Sequence, residues 1–505
     1  MNKNADSGIK YLILDINTPI SQYIYLITEN YSDFCDSVRD LLDNKVMLQT
    51  SILGKLLACA LALNDRTLSE YILHSCKLPE VLRACEILDS RRLLTQLTKR
   101  KEKLKNTSKI NTIDTTMKTL LEYGTTTCPI VFSLTKSKTK MIKKYWLSKI
   151  PVDKLEFYAL MYKLDYWKQL ADILHLKNTD FQLDWFLQYV YGNDAPAGTC
   201  VNECKNLTKE NSFGLISKYK PDYNYLRQLS TIFDHRAYSV ICTYTELDVL
   251  LWWLNEFVNY EEALSIVSNR LSENELLTNL PYGVIIDKIF MLRSFGLVGN
   301  RKKIYDKLLI IAERLLKQYS LKLTKCVVFG DASGSMEVAI KTSSIITSIL
   351  SVLCGAELNI FRATNSIIND VPKTIGDVIK FNETCRACDG TSPASSLARY
   401  YLSKTPVNTI IIVTDEEENG QSNGLRFFEM FCRYCETIKA VPNLIFVSFL
   451  RQGEKGQMFP RLKEKFGEHV HQFIFDRNKP DLTKLDSILS KLSVFQQYHE
   501  GHESN

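Results

Sequence analysis

The chain has 505 residues with 45% hydrophobic content, enough for more than one folded core, so two or more domains are expected. No apolar run approaches the ~18 residues of a membrane span, and Met1-Asn-Lys-Asn-Ala-Asp lacks the order of a signal peptide, so a membrane role is not expected and the cytoplasm or nucleus is. The net charge is only +6, and 14 scattered cysteines in so long a chain suit reduced, mostly buried thiols better than a disulfide framework.

The first three hundred residues read as helices. Met47–Leu63, Thr67–Cys76, Pro79–Leu88, Leu155–Tyr162, Trp167–His175, Leu247–Val258, Tyr260–Leu271, Gly283–Ser294 and Tyr305–Tyr319 carry apolar residues at three- and four-residue spacing. Short polar joins separate them, which suggests a HEAT-like solenoid of paired helices over 1–320, although no strict repeat period is present. Charge is concentrated within this half. Lys99 to Lys149 holds 13 Lys and Arg against Glu102, Asp114 and Glu122, an excess of ten, so the rest of the chain sums to −4. Lys136, Lys138, Lys140, Lys143 and Lys144 stand beside Tyr145 and Trp146, a pairing of cations and rings that a phosphate backbone recruits. The plainer reading is a solvated helix face.

After position 320 the texture changes to alternating strands and helices. Apolar runs at Cys326–Phe329, Leu358–Ala363, Thr409–Val413, Leu444–Leu450 and His471–Phe475 predict strands. Helical patterns follow them at Val338–Leu353, Ile375–Phe381, Ala394–Leu402, Gly424–Ile438 and Asp481–Phe495. The alternation predicts a doubly wound parallel sheet over 321–496, followed by a polar tail over 497–505.

The carboxyl ends of two of those strands carry hard oxygen donors. Asp331-Ala-Ser333-Gly-Ser335 follows the first run, Thr391 sits on a polar loop, and Asp415 follows Thr409–Val413 and Thr414. Gly334 lets the two serine hydroxyls turn toward one cation. Five oxygen ligands from three loops suit Mg²⁺ or another divalent ion, and so few direct anions leave a position for an outside carboxylate or phosphate. The remaining acids, Glu416-Glu-Glu418, are expected to form a solvated rim. Cys385-Arg-Ala-Cys388 and Cys432-Arg-Tyr-Cys435 outline a zinc site, but their long interval and the helical setting of the second pair favour core thiols, so zinc is not expected. The serine in Gly330-Asp-Ala-Ser-Gly334 is one place late for a nucleophile elbow and no phosphate-binding Gly-Lys-Ser/Thr loop occurs, so no enzymatic activity is expected.

The last 180 residues resemble a von Willebrand factor A domain, in which the five positions just named are the ligands of a metal-ion-dependent adhesion site. With the helical half, the chain resembles the TROVE family, the ring-shaped Ro ribonucleoproteins. The segments that carry the likeness are Leu57-Ala-Cys-Ala-Leu-Ala-Leu63 with His74-Ser-Cys-Lys-Leu-Pro-Glu-Val-Leu82, Tyr162-Lys163 and Trp167 with Leu174-His-Leu-Lys177, and Leu280-Pro-Tyr-Gly-Val-Ile-Ile-Asp-Lys-Ile289. The resemblance implies a non-catalytic helical ring that binds small noncoding RNA on its basic surface and takes single-stranded RNA ends. It implies RNA contacts by His175 and Lys163, joined here by Lys138, Lys140, Lys143 and Lys144. Met161 and Asp165 depart from the family, standing where it often has basic side chains. The implied partners are RNA and a protein acid completing the metal shell. The alternative is a cytosolic scaffold that binds proteins through the metal and has no dedicated RNA function.

Overall fold

The computed structural model describes residues 18–43, 48–103, 107–124, 132–229, 233–273, 280–318, 325–337, 339–368, 370–451 and 453–478, with Ile9, Leu12, Ile13, Thr278, Asp481, Leu482 and Leu485. The expected helix from Asp481 onward and the tail over 497–505 lie almost wholly outside these residues. The chain divides into two compact units, one running to Leu250 and one from Leu251 to Glu500.

The first unit is built of short helices that cover one another. Thr50–Ala62 is buried from Ile52 onward and lies between the helices Arg66–Ser75 and Leu78–Leu88. Local chemistry starts both neighbours. Asp65 accepts from the Leu68 N–H at 3.0 Å, and Glu80 accepts from the Lys77 N–H at 2.9 Å ahead of Pro79 in the first turn. Gly54 permits the close crossing, since a Cβ there would lie 2.8 Å from Arg83 Cβ. Trp167, from the helix Leu164–Leu174, is fully buried and stacks on Trp146 at 6.1 Å between ring centres. The Trp146 indole N–H donates to the Cys76 carbonyl at 3.0 Å, tying the end of Arg66–Ser75 to the basic helix Lys136–Tyr145.

The second unit carries three further helices, Glu261–Glu273, Tyr282–Ser294 and Gly299–Gln318, and one six-stranded sheet. The strands are β1 Cys326–Asp331, β2 Glu357–Phe361, β3 Asn365–Ile367, β4 Thr409–Thr414, β5 Asn443–Leu450 and β6 Val470–Asp476. Their order is β3-β2-β1-β4-β5-β6, parallel except for β3, which runs against β2. β1 and β4 are buried at every residue, which is why both read as continuous apolar runs. One face is covered by Ala394–Ser403, Phe427–Ile438 and Phe459–Phe466, whose side chains share a core with Phe329, Ile410, Ile412 and Phe446. Against β1 and β4 also packs Ile340–Cys354, and Gly330 lets it approach, as a Cβ there would sit 2.6 Å from Thr347 Cγ2.

This is the doubly wound architecture expected from the strand-helix alternation, with two additions. β3 is a three-residue edge strand inside a polar stretch, and Phe459–Phe466 is a helix between β5 and β6. The chain reverses direction across the sheet between β1 and β4. In open α/β sheets that switch point is where ligands bind.

Candidate functional site

The carboxyl ends of β1 and β4 bring Asp331 and Asp415 together at the switch point. Asp331 is buried, with one oxygen accepting from the Ser333 N–H at 2.9 Å and the other from the Thr414 hydroxyl at 2.7 Å. Burial pushes its carboxyl up to about 7, the Asp415 carboxylate adds to the rise, and the Ser333 and Thr414 hydrogen bonds oppose it. Asp415 is likewise raised by burial and lowered by the Ser335 hydroxyl. Ser333 and Ser335 hydroxyls stand 3.0 Å apart across Gly334. The loop that bears Thr391 is stitched to this turn: the Gly334 N–H donates to the Asp389 carbonyl at 2.9 Å and the Cys388 N–H to the Ala332 carbonyl at 3.0 Å. All three loops therefore meet.

The donor set fits a hard divalent cation on two counts. Two carboxylates buried side by side raise each other's cost of ionisation, which a cation between them removes. Thr391 Oγ1 and Asp415 Oδ2 are buried and make no hydrogen bond, so the hydroxyl lacks the partner that burial normally demands and the carboxylate oxygen has only the Arg477 guanidinium near it, at 3.4 Å. Asn419, which the sequence did not mark, positions the first of these. Its side-chain oxygen accepts from the Thr391 N–H at 2.7 Å, and its own N–H and that of Gly420 donate to the Thr391 carbonyl at 3.2 and 2.8 Å. The only local signal was an Asn-Gly turn.

The acids after Asp415 do not together form a solvated rim, and only Glu417 keeps a substantially exposed side chain. Glu416 is completely buried, with a left-handed backbone at φ 60°, and accepts from Ser448, from Gln472 Nε2 at 2.6 Å, and from the Met458 and Phe459 N–H groups at 3.1 and 2.9 Å. Glu417 pairs with Arg477 at 2.7 Å. Glu418 accepts from the Phe427 N–H at 2.7 Å, and burial pushes its carboxyl up to about 7. The expectation failed because three adjacent acids were treated alike, whereas each meets a different element packed over the end of β4. The cysteines are also dispersed. Cys385 and Cys388 lie on the Thr391 loop while Cys432 and Cys435 are buried in Phe427–Ile438, and among the described residues no group of three or more His, Cys, Asp or Glu is placed to hold a metal.

The basic helix Lys136–Tyr145 shows its lysines unequally. Thr135 caps it through the Lys138 N–H, and Lys138 itself is 3% exposed with its ammonium on the Ser133 carbonyl at 2.9 Å. Its charge is spent bracing the start of the helix. Lys140 and Lys144 are exposed, and the Lys144 ammonium lies 4.9 Å from the Tyr145 ring centre, where Arg66 also donates to the phenol at 2.9 Å. Lys143 pairs with Asp180 at 2.7 Å and reaches the His175 carbonyl at 3.3 Å. His175 is exposed and left-handed (φ 49°), closing the helix Leu164–Leu174, whereas exposed Lys163 begins it. At ~1.5 Å per residue the two ends are roughly 18 Å apart, so Lys163 and His175 share a helix but not a point of contact. At the start of the basic stretch Lys99–Lys149, Lys99 and Arg100 are exposed, Lys101 pairs with Asp114, and Lys105 lies outside the described residues.

No helix among the described residues is long and apolar enough to cross a membrane. No family model and no curated protein sequence matches the chain. Among solved structures it is similar to the crystal structure of the Ro (RSR) protein of Deinococcus radiodurans, with 13% identity, a TM-score of 0.51, and coverage of 89% of this chain and 95% of that one. At that identity the likeness is one of fold, and it spans both the helical half and the sheet: the chain has the fold of a Ro protein.

Proposed function

We propose that this chain is a non-catalytic RNA-binding protein of a ribonucleoprotein particle, binding small noncoding RNA and single-stranded RNA ends through its basic helices. The carrying observation is the shared fold with a Ro protein over most of both chains, joined to the outward charge of Lys140 and of Lys144, the latter beside the Tyr145 ring. Exposed Lys163 and His175, at opposite ends of the helix Leu164–Leu174, would add contacts, and Lys143 holds the His175 turn against the basic helix. The A domain is the docking half. Asp331, Ser333, Ser335, Thr391 and Asp415 would hold Mg²⁺ or a similar ion, which supplies an open position for a carboxylate from a protein partner. The cytoplasm or nucleus suits its buried free thiols, among them Cys59, Cys85 and Cys326.

Fluorescence anisotropy with a labelled small structured RNA and with a single-stranded tail tests the first half. The double variant Lys140→Gln/Lys144→Gln should weaken binding at least about tenfold and reduce the log-log salt slope by about 1.8 for the structured RNA and about 1.4 for the single strand, as two lost phosphate contacts would. Lys138→Met should leave that slope alone, because the side chain is buried with its ammonium on the Ser133 carbonyl, and so should Asp331→Ala. RNA binding that ignores the double variant would remove the basic helix from the interface. The buried Thr391 hydroxyl and Asp415 oxygen that make no hydrogen bond favour a second reading, a scaffold that uses the metal alone; partners recovered only with Mg²⁺, from a protein without salt-sensitive RNA binding, would establish it.

A further inference from the structure

A positive charge already sits inside the candidate metal centre. Arg477 follows β6, and its backbone N–H donates to the Leu450 carbonyl at 2.9 Å, which starts its side chain at the carboxyl end of the sheet. From there the guanidinium reaches two of the three metal loops. Nη1 donates to Glu417 Oε1 at 2.7 Å, and Nη2 donates to the Ser335 carbonyl while lying 3.4 Å from Asp415 Oδ2. The side chain is 10% exposed, so it is committed to this chain and is not offered to solvent. Asp415 Oδ2 is the same carboxylate oxygen that has no hydrogen bond.

A divalent ion on that oxygen, at about 2.1 Å, would stand no more than about 5.5 Å from Nη2, where burial leaves the repulsion between the two cations poorly screened. Glu417 offsets part of the guanidinium charge, but its side chain is 44% exposed and solvent weakens its effect at the metal. Asp331 and Asp415 together only balance the ion. The surplus positive charge is what an incoming anion would neutralise.

We propose that Arg477 is a resident cation that competes with the divalent ion for Asp415, so that the ion is held firmly only when an outside carboxylate joins it. Without metal, Arg477 is a positioning residue that keeps the Ser335 and Asp415 loops together. With metal, it couples occupancy to the arrival of an acidic ligand. The inference rests on the metal reading of the site.

Full-length protein stripped of metal is titrated with Mn²⁺ by calorimetry at constant ionic strength, with chloride or acetate as the anion. Arg477→Gln should bind Mn²⁺ at least about tenfold more tightly than wild type in chloride and gain less from acetate, as removal of a like charge at this separation requires. Arg477→Lys keeps the charge and should restore the wild-type affinity. Equal or weaker binding by Arg477→Gln overturns the inference alone, since loss of a merely structural contact would produce that. Absence of Mn²⁺ binding by wild type and both variants overturns the metal reading and this inference with it. Wild-type crystals soaked in Mn²⁺ supply a readout independent of any variant's folding: Nη2 should part from Asp415 Oδ2 beyond about 4 Å, the limit of an ion pair, and a separation still at 3.4 Å overturns the competition.

Discussion

Burial lifts Asp331 from an ordinary 3.8 to about 7, and Glu418 from 4.5 to about 7. Each group binds its proton more tightly folded than unfolded, so the folded state carries more protons between the two values and stability falls as pH rises through that window. Metal-free protein should therefore melt at a lower temperature near pH ~7.5 than near pH ~5, and Mg²⁺ or Asp331→Asn should flatten the slope. A metal-free profile without slope would mean that the carboxylates are better solvated than their burial indicates. At this scale the five oxygen donors were legible, because Asp-x-Ser-x-Ser after an apolar run and an acid after a β-branched one are local patterns. Arg477 was not. Its partners Glu417 and Ser335 lie 60 and 142 positions away, and nothing near Arg477 in the chain indicates them.

Among elements, the helix Phe459–Phe466 shows how a start signal can be remote. No neighbouring side chain caps it; its first N–H groups, of Met458 and Phe459, are taken by Glu416 from 42 and 43 positions earlier. Locally the stretch reads as Gly453, Gly456 and Pro460 among charges, the composition of a loop. Glu416 thus joins the end of β4 to β5, β6 and this helix through one buried carboxylate. Glu416→Ala should cost about 3–5 kcal/mol in urea unfolding, the range for stripping one partner from a buried charged network. A loss below about 1 kcal/mol would show that water replaces the carboxylate. The long amphipathic helices and the five main strands were legible for the opposite reason: their periodicity repeats within each segment.

For the whole molecule, the two compact units predict separable unfolding. Calorimetry should resolve two transitions, with Mg²⁺ at a hundredfold excess over its Kd adding about 2.7 kcal/mol to the one that contains the sheet and RNA raising the other. One transition moved equally by both ligands would contradict this division. By itself the sequence determined the change from helical to strand-helix texture, the basic stretch and the oxygen-donor loops, since periodicity, strand composition and turn chemistry act over a few residues. Only the tertiary structure decided the use of each charge. Lys138 turns inward while Lys140 and Lys144 face solvent, Glu416 becomes a buried joint beside Asp415, and Arg477 enters the candidate metal centre. The cost of burying a charge depends on partners that folding brings from far along the chain, and no local pattern encodes them.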